Sequence, residues 1–334
     1  MSRVGVVLIG KNEGDRLVRS LASVCDGERP VVYVDSASTD GSCDAARRAG
    51  ATVVELDMSI PFSAARARNA GWRRLLEIAP SVEHVQFIDG DCEVLDGWID
   101  AAEETLDAHD EAVAVCGWRR ERAPESSAFN RVCDVEWRSG PVGTVTCFGG
   151  DVMIRASALV ATGGYDPSVI AAEDDELGVR LRRVTGGSLL RIDRDSTLHD
   201  AAMTKVSEWW RRAKRCGHGY AQVHHLHGAP PERYFETNLR RTVMWGALAP
   251  LGAAALSVPT MGLSWLALAR YPAVAVRTAM STRAKGFEWG HAIAWGVSCA
   301  AAPIPEALGV LKFHADRIRG RAPKIIEYKG GDAA

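Results

Sequence analysis

The sequence predicts an α/β fold: a doubly wound, mostly parallel sheet with flanking helices, followed by a helical apolar region at the C-terminal end. Three observations lead to this prediction. Short apolar segments of strand length alternate with segments whose apolar residues recur at helical spacing. Polar or glycine-bearing loops follow these strands, where open α/β sheets bind ligands. The length of 334 residues exceeds one average domain, so we expect an appendage beside the sheet domain.

The first part of the chain has a regular β-α-β-α-β-α-β rhythm, which is typical of a doubly wound sheet. Apolar runs predict the strands, and faces with apolar residues three or four apart predict the helices. A cap at Asp40 or Ser42 is expected to begin the second helix. The predicted strands are 4–9, 31–34, 52–56 and 85–88, and the helices between them are 15–24, 42–49 and 62–78.

The first loop, Gly10-Lys11-Asn12-Glu13-Gly14, contains two glycines, so two nucleotide-binding patterns must be tested. A dinucleotide fingerprint requires G-x-G-x-x-G at the start of a helix, and this loop lacks that spacing. A phosphate loop requires G-x-x-x-x-G-K-[ST], which the chain does not contain. A nucleotide must therefore be held in another way.

Two carboxylates, Asp89 and Asp91, follow the buried strand 85–88. Carboxylate oxygens suit a hard divalent cation and the anionic group bound to it. A second D-x-D pair, Asp193 and Asp195, has no comparable apolar run before it. The position of the first pair at a strand end makes it the candidate site.

The rhythm loosens after Asp91. We expect helices at 97–109 and 129–137, strands at 112–116 and 189–192, a charged exit from the sheet at 119–122, and a sharp glycine turn at 149–150. Four acids, Glu173 to Glu176, begin a further helix. Acids at a helix start suit its dipole, so a solvated cap is the simplest interpretation of that run.

Together these segments resemble glycosyltransferase family 2, the inverting sugar-nucleotide enzymes with the GT-A fold. The resemblance covers about residues 1–220. The matching stretches, in the order that the family shows, are G-K-N-E at 10–13, V-D-S-A-S-T-D-G-S at 34–42, A-R-A-R-N-A-G at 65–71, F-I-D-G-D-C at 87–92, G-G-D-V-M-I-R at 149–155, G-G-Y-D at 163–166 and E-D-D-E-L-G-V-R-L at 173–181.

The resemblance implies roles for individual residues. Asp174 is expected to be the general base, with a neighbouring role left open for Glu173 or Asp175. Many family members have an aspartate where this chain has Glu176. The residues expected to bind the nucleotide sugar are Asn12, Glu13, Asp35, Arg68, Asn69, Asp89 and Gly150. Those expected to hold Mn²⁺ or Mg²⁺ are Asp91, Asp89 and His199.

Two features further along the chain, His199 and the helix with Trp209 and Trp210, have both a functional and a purely structural interpretation. His199 is either a metal or diphosphate ligand or an ordinary surface or core histidine. The helix containing Trp209 and Trp210 either borders the acceptor groove or is an amphipathic helix with one solvated face.

The C-terminal third contains an uncharged stretch, residues 242–269, that is interrupted by Pro250 and Pro259. A shorter apolar stretch covers residues 289–305, and basic residues flank both stretches. A two-span hairpin would place the middle basic loop outside, against the positive-inside rule. We therefore expect broken, interfacial or re-entrant helices on the cytoplasmic leaflet. True spanning and a wholly soluble appendage remain as alternatives.

Composition supports a cytoplasmic enzyme rather than a nucleic-acid-binding protein. The net charge of −2 and the pI near 6.5 give no bulk attraction to nucleic acid. The eight cysteines contain no C-x-x-C pair, which suits reduced thiols. Apolar residues at strand spacing begin by Val4, so we expect no signal peptide and a cytoplasmic catalytic part. Together with the C-terminal region, this predicts a location at the inner face of the cell membrane.

These observations predict a catalytic domain at residues 1–228 and a helical, membrane-associated region at 229–334. The predicted function is metal-dependent, inverting transfer of a sugar from a nucleoside diphosphate sugar to a glycan or lipid-linked hydroxyl, in the synthesis of cell-surface glycans or glycolipids. One alternative is a sugar-nucleotide pyrophosphorylase, whose G-x-G-T-R-L loop is missing here. Another is a non-catalytic sugar-nucleotide-binding protein.

Overall fold

The computed structural model describes residues 2–321 and 325–326. Its strands are β1 (Val4–Gly10), β2 (Val31–Asp35), β3 (Thr52–Glu55), β4 (His84–Asp89), β5 (Cys92–Val94), β6 (Ala112–Glu121), β7 (Gly143–Val145), β8 (Val152–Arg155) and β9 (Ser188–His199). Its α-helices are α1 (Asp15–Ala22), α2 (Ser42–Arg48), α3 (Ala64–Ile78), α4 (Trp98–Ala108), α5 (Ala128–Trp137), α6 (Ala156–Thr162), α7 (Glu173–Thr185), α8 (Val206–His227), α9 (Glu236–Val243), α10 (Ala249–Ala255), α11 (Arg270–Ala284), α12 (Trp289–Ala301) and α13 (Pro303–Ile318).

The chain forms two compact units. Of the described residues, the sheet unit comprises 2–122, 137–168 and 173–201, and the helical unit comprises 123–136, 169–172 and those from 202 onwards. This division differs from the predicted boundary after residue 228, because α8 packs closely on α13 inside the helical unit. Gly217 of α8 leaves no room for a Cβ atom beside the Glu306 carbonyl.

The sheet unit is built on a mixed, largely parallel sheet with the strand order β3-β2-β1-β4-β8-β6-β9-β5, and β7 pairs with β9. Strands β3, β2, β1 and β4 are parallel to one another, as are β6 and β9. Strand β8 enters antiparallel between β4 and β6. The predicted doubly wound, mostly parallel sheet with flanking helices is therefore confirmed.

Two strands are longer than the sequence pattern indicated. Strand β6 continues to Glu121, so residues 119–121 belong to the sheet and not to a charged exit. Strand β9 runs from Ser188 to His199. Both extensions consist mostly of polar residues, and pairing between the two strands holds them in the sheet. They bring Arg119, Glu121 and His199 to the site described below.

The two faces of the sheet carry separate apolar cores, because neighbouring strand residues point to opposite faces. Val7 and Phe87 pack with α3, α6 and α7 on one face. Leu8 and Ile88 pack with α1, α2 and α4 on the other. Strands β1, β2 and β4 are parallel, so their carboxyl ends lie at the same edge of the sheet. The polar side chains at and after these strand ends therefore gather at that edge.

The uncharged C-terminal stretch is broken into short pieces, as predicted. A π-helical turn (Met244–Leu248), α10 and a 3₁₀ segment (Leu263–Ala269) follow one another. Within the described residues no single helix has the length and apolar character needed to cross a bilayer. The α12–α13 pair, bent by 41°, meets the length and composition requirement only as a pair.

Candidate active site

The loops after β1 and β2 are joined by hydrogen bonds that involve Asn12. Its backbone N–H donates to Ser38 Oγ at 2.9 Å, and its side-chain oxygen accepts from the Thr39 N–H at 2.7 Å. Asn12 has a φ of 53°, in the left-handed region that asparagine tolerates better than most residues. Asn12 is thus a residue that shapes the loop; contact of its side chain with a nucleotide stays a prediction.

Asp35 lies at the end of β2 and is only 3% exposed. It accepts hydrogen bonds from the Tyr33 hydroxyl at 3.0 Å and from the Ser38 N–H at 2.8 Å. Burial, with the Asp35 charge nearby, raises the pKa of Tyr33, so this hydroxyl remains a donor. Asp35 and Tyr33 thus form a fixed, hydrogen-bonded pair at the end of β2, where its loop begins.

Glu13, the other acid predicted in this region, lies beside the loop that follows β4. A Cβ atom placed on Gly90 would lie 3.3 Å from Glu13 Cγ, and the Gly90 N–H donates to the Ile9 carbonyl at 2.8 Å. Glu13 also forms an ion pair with Arg16 at 2.8 Å. The structure therefore brings Glu13 to the loop between Asp89 and Asp91.

Asp89 ends β4 between two guanidinium groups. Its carboxylate accepts a hydrogen bond from Arg68 at 2.9 Å and a longer one from Arg119 at 3.4 Å. Burial acts to raise the pKa of Asp89, but Arg68 and then Arg119 outweigh that effect and hold the pKa below its usual value. Asp89 is therefore an ionised carboxylate already paired with cations of the protein.

Gly150 is required by this arrangement. A Cβ atom at this position would lie 2.6 Å from Arg68 Nη2 and 2.8 Å from Asp89 Oδ2. Glycine avoids both contacts, and the backbone can approach the ion pair closely. Gly149, its neighbour, has open space around the equivalent position.

Arg68 connects the two acidic segments of the site. Besides Asp89 it binds Glu173 at 2.8 Å, and Asp174 Oδ1 lies 3.5 Å from the same guanidinium. Its charge also lies over the ring of Tyr165, 5.4 Å from the centroid. Because Arg68 is only 3% exposed, it is a buried bridge between the end of β4 and the start of α7.

Asp174 is the acid of this run whose oxygen is left available. Oδ1 of Asp174 is buried and accepts no hydrogen bond from any residue that the structure describes. Burial raises the pKa of Asp174 to about 8, opposed by Arg68 and assisted by Glu173 and Asp89. A carboxylate with a pKa near the working pH is suited to accept and release a proton.

A second group of donors joins Asp91 to His199. His199 Nε2 lies 3.4 Å from Asp91 Oδ2, and pairing of β5 with β9 aligns Cys92 with His199. On the other side of the ring, Nδ1 lies 3.7 Å from Glu121 Oε2, and the ring packs edge-on against Trp137. An imidazole with a carboxylate on the side of its far nitrogen is a common arrangement around a metal ligand.

This donor set fits a divalent cation. Asp91, Cys92 and His199 place one possible ligand atom each within 4.8 Å of one another. Carboxylate oxygen and imidazole nitrogen suit Mn²⁺, and carboxylate suits Mg²⁺. Asp89, the third predicted ligand, is instead held by Arg68 and Arg119, so its direct contact with a metal stays a prediction.

Residues 6–158 match the family model described as "Glycosyl transferase family 2". This segment belongs to glycosyl transferase family 2. A search of curated proteins finds no match.

Solved structures of GT-A glycosyltransferases share the fold. The mannosyltransferase PcManGT from Pyrobaculum calidifontis, solved with GDP-Man and Mn²⁺, superposes with a TM-score of 0.60 at 20% identity, over 92% of this chain and 87% of that chain. Glucosyl-3-phosphoglycerate synthase from Mycobacterium tuberculosis, with Mn²⁺, UDP-Glc and phosphoglyceric acid, gives a TM-score of 0.49 at 19% identity, over 68% and 80%. The first of these likenesses supports the GT-A fold for this chain.

Two residues of the recognised motifs, Asn69 and Glu176, have their polar groups bound to other residues of the protein. The Asn69 amide donates to the Tyr165 carbonyl at 2.7 Å and accepts from the Tyr165 N–H and the Trp72 ring N–H. Asn69 thus fixes the turn at 163–166, and its contact with a donor stays a prediction. Glu176 binds Arg180 through both oxygens, at 2.7 and 2.6 Å, so the departure from the family pattern is a buried ion pair.

Sequence reasoning missed Arg119, Glu121 and Asp151. Asp151 accepts from Arg119 Nε at 2.6 Å and from the Thr197 hydroxyl, and so fixes the arginine beside Asp89. Asp151 stands directly after Gly150 in the motif G-G-D-V-M-I-R, so that motif could have indicated Asp151 as a site residue. Arg119 and Glu121 gave none, because their partners lie far away in the sequence.

Proposed function

We propose that this chain is an inverting glycosyltransferase that moves a sugar from a nucleoside diphosphate sugar to a hydroxyl acceptor. The observation that carries the proposal is Asp174, a partly buried carboxylate whose Oδ1 atom accepts no hydrogen bond from the described residues and lies 3.5 Å from Arg68, which is itself paired with Asp89. PcManGT, which shares the fold, was solved with a nucleoside diphosphate sugar and Mn²⁺, and we assign the same classes of ligand here.

Asp91 and His199 would hold the cation, Mn²⁺ or Mg²⁺. When bound, a divalent cation neutralises the negative charge that develops on a diphosphate leaving group. Glu121 lies 3.7 Å behind the His199 ring, and Arg119 and Arg68 keep Asp89 ionised near the donor. Asp35, Glu13 and the loop shaped by Asn12 are assigned to the nucleoside.

Asp174 is assigned as the general base. The acceptor oxygen attacks the anomeric carbon, its proton passes to Asp174 Oδ1, and the bond from that carbon to the diphosphate oxygen breaks. One base without an enzyme nucleophile gives a single displacement with inversion. Glu173 positions Arg68 and takes no part in proton transfer, because its carboxylate is bound to that guanidinium.

The helical unit is assigned to the cytoplasmic leaflet of the cell membrane, where a glycan or lipid-linked acceptor would be met. Its support is a set of large apolar side chains that remain exposed, with Val258 at 87%, Met261 at 94% and Leu266 at 69%. Apolar patches of this kind usually mark a protein or membrane contact. Arg270 and Arg283, two exposed residues of α11, would suit anionic headgroups.

The decisive experiment is a thermal-shift screen of nucleoside diphosphate sugars with and without Mn²⁺, because a ligand that binds only the folded state raises its stability. The sugar that stabilises the protein is then assayed for turnover. Release of a nucleoside diphosphate supports the proposal. Formation of a nucleoside triphosphate and a sugar 1-phosphate when pyrophosphate is added would establish the pyrophosphorylase alternative, and binding without any turnover would establish the non-catalytic one.

Asp91→Asn tests the metal assignment in the same assay. Losing a ligand should weaken Mn²⁺-dependent donor binding by at least about 100-fold, more than outer contacts of a metal site contribute. Asp195→Asn, in the second D-x-D pair, is the control, since Asp195 forms a surface ion pair with Arg120. Unchanged donor binding in Asp91→Asn would refute the assignment.

A further inference from the structure

The helical unit contains a second cluster of possible metal ligands, unrelated to the residues above. Glu125, Glu288 and His291 each place one ligand atom within 4.8 Å of the others. Glu125 lies in a 3₁₀ turn (Pro124–Ser126), and Glu288 and His291 lie at the start of α12. The chain therefore brings together two segments more than 160 residues apart in sequence at this point.

His291 is the feature that points to a ligand. Its side chain is 10% exposed, and its Nδ1 atom is buried without a hydrogen-bond partner in the part of the chain that the structure describes. That nitrogen faces Glu125 Oε1 at 3.9 Å, too far for a hydrogen bond. A buried nitrogen without a partner costs free energy unless something binds it.

The neighbouring charges orient both partners. Arg131 binds the other oxygen of Glu125, Oε2, and so leaves Oε1 turned towards His291. On the far side of the imidazole, Nε2 lies 3.7 Å from Asp134 Oδ2, and Asp134 is buried. A carboxylate beyond the second nitrogen favours the tautomer whose proton is on Nε2 and leaves the Nδ1 lone pair for a metal.

The geometry points to a divalent transition-metal site formed by Glu125, Glu288 and His291, with Zn²⁺ as the cation that it suits best. One imidazole and two carboxylates leave the fourth tetrahedral position to water, the ligand number typical of three-ligand zinc sites. The metal would connect the 3₁₀ turn at Glu125 to the start of α12 within the helical unit.

Zinc binding by the full-length chain tests the site. Asp91→Asn is used as the parent, which removes the proposed cation site of the sheet unit, and calorimetric titration with ZnCl₂ follows removal of metals with a chelator. The parent should bind one Zn²⁺ per chain. His291→Gln and Glu288→Gln, each in that parent, should bind at least about 100-fold more weakly, and Asp134→Asn about 10–100-fold more weakly.

Glu288→Gln keeps the test independent of folding. Glu288 is exposed and its side chain makes no capping hydrogen bond, so the metal-free variant should melt at the temperature of its parent. Glu232→Gln, elsewhere in the helical unit, is the charge-matched control and should bind zinc like the parent. The proposed site would be overturned if the parent binds no zinc or if the variants bind it as the parent does. His291 would then only contact the neighbouring carboxylates. The titration measures zinc binding and not turnover, so its outcome does not depend on whether the chain is a glycosyltransferase.

Discussion

Arg68 Nη2 lies 2.9 Å from Asp89 Oδ1, so an arginine of α3 that is almost fully buried is paired with the carboxylate at the end of β4. The other side of the same guanidinium meets the start of α7. Removing one partner of such a buried pair is costly, because the remaining charge has no water to solvate it. The pair therefore fixes the distance between the D-x-D segment and the proposed base.

Gly150→Ala should disturb this pair without unfolding the protein. The new Cβ would lie 2.6 Å from Arg68 Nη2 and 2.8 Å from Asp89 Oδ2, so the ends of both side chains must shift within the pair. Because a misplacement of about 1 Å can lower turnover by about 100-fold, we expect a loss of up to that size in kcat. Gly149→Ala is the matched control, since its Cβ has open space, and equal turnover in the two variants would contradict the prediction.

Asp174→Asn should separate binding from chemistry. A general base acts on the acceptor proton, so its loss should lower kcat by about 10²–10⁴-fold and leave the Kd of the donor within about a few-fold. Asp175→Asn removes a charge from the same helical turn and should keep most of the activity. The two quantities are measured by initial rates and by calorimetry. High activity in Asp174→Asn with loss in Asp175→Asn would move the base by one residue.

The pH dependence of kcat/KM should follow the ionisation of Asp174. Only the ionised carboxylate can accept a proton, and burial raises its pKa to about 8. We expect kcat/KM to rise about tenfold per pH unit below that value and to level off above it. Asp174→Asn should lack this rise, and a wild-type profile that is flat from pH 6 to 9 would argue against the assignment.

The same ionisation affects stability in the opposite direction. A carboxyl whose folded pKa exceeds the unfolded value of 3.8 stabilises the fold at low pH, and this contribution is lost as the pH rises through about 8. Asp174→Asn should therefore flatten the decline in the free energy of unfolding between about pH 4 and 8. Denaturant titrations at several pH values measure this.

Membrane binding should depend on the exposed apolar residues of the helical unit. Val258→Glu and Met261→Glu each remove an apolar contact worth about 1.5–3 kcal/mol when fully buried, so each should lower binding to anionic vesicles by roughly 10–100-fold. Val160→Glu, at a similarly exposed apolar position of the sheet unit, should bind as the wild type does. Vesicle sedimentation measures the difference, and unchanged sedimentation of both helical-unit variants would refute the proposed surface.

The sequence predicted those features that local patterns encode. Apolar periodicity identified β1, β2, β4 and α3, and their carboxyl-end loops followed from the direction of the chain. Asp89, Asp91 and Asp174 could be selected because motifs surround them. The mixed insertion of β8 could not be predicted, since strand direction in a sheet depends on pairing between segments far apart in sequence.

The amino-acid sequence by itself determined the α/β class, the D-x-D strand end and the acidic start of α7. Only the tertiary structure decided that Arg119 and Asp151 meet at Asp89, that Glu121 lies behind His199, and that Asn69 holds a turn. The physical reason is that burial and partners set the role of a polar side chain. An ionisable group acquires its pKa and its free lone pair from residues that the fold brings to it, and no local pattern records them.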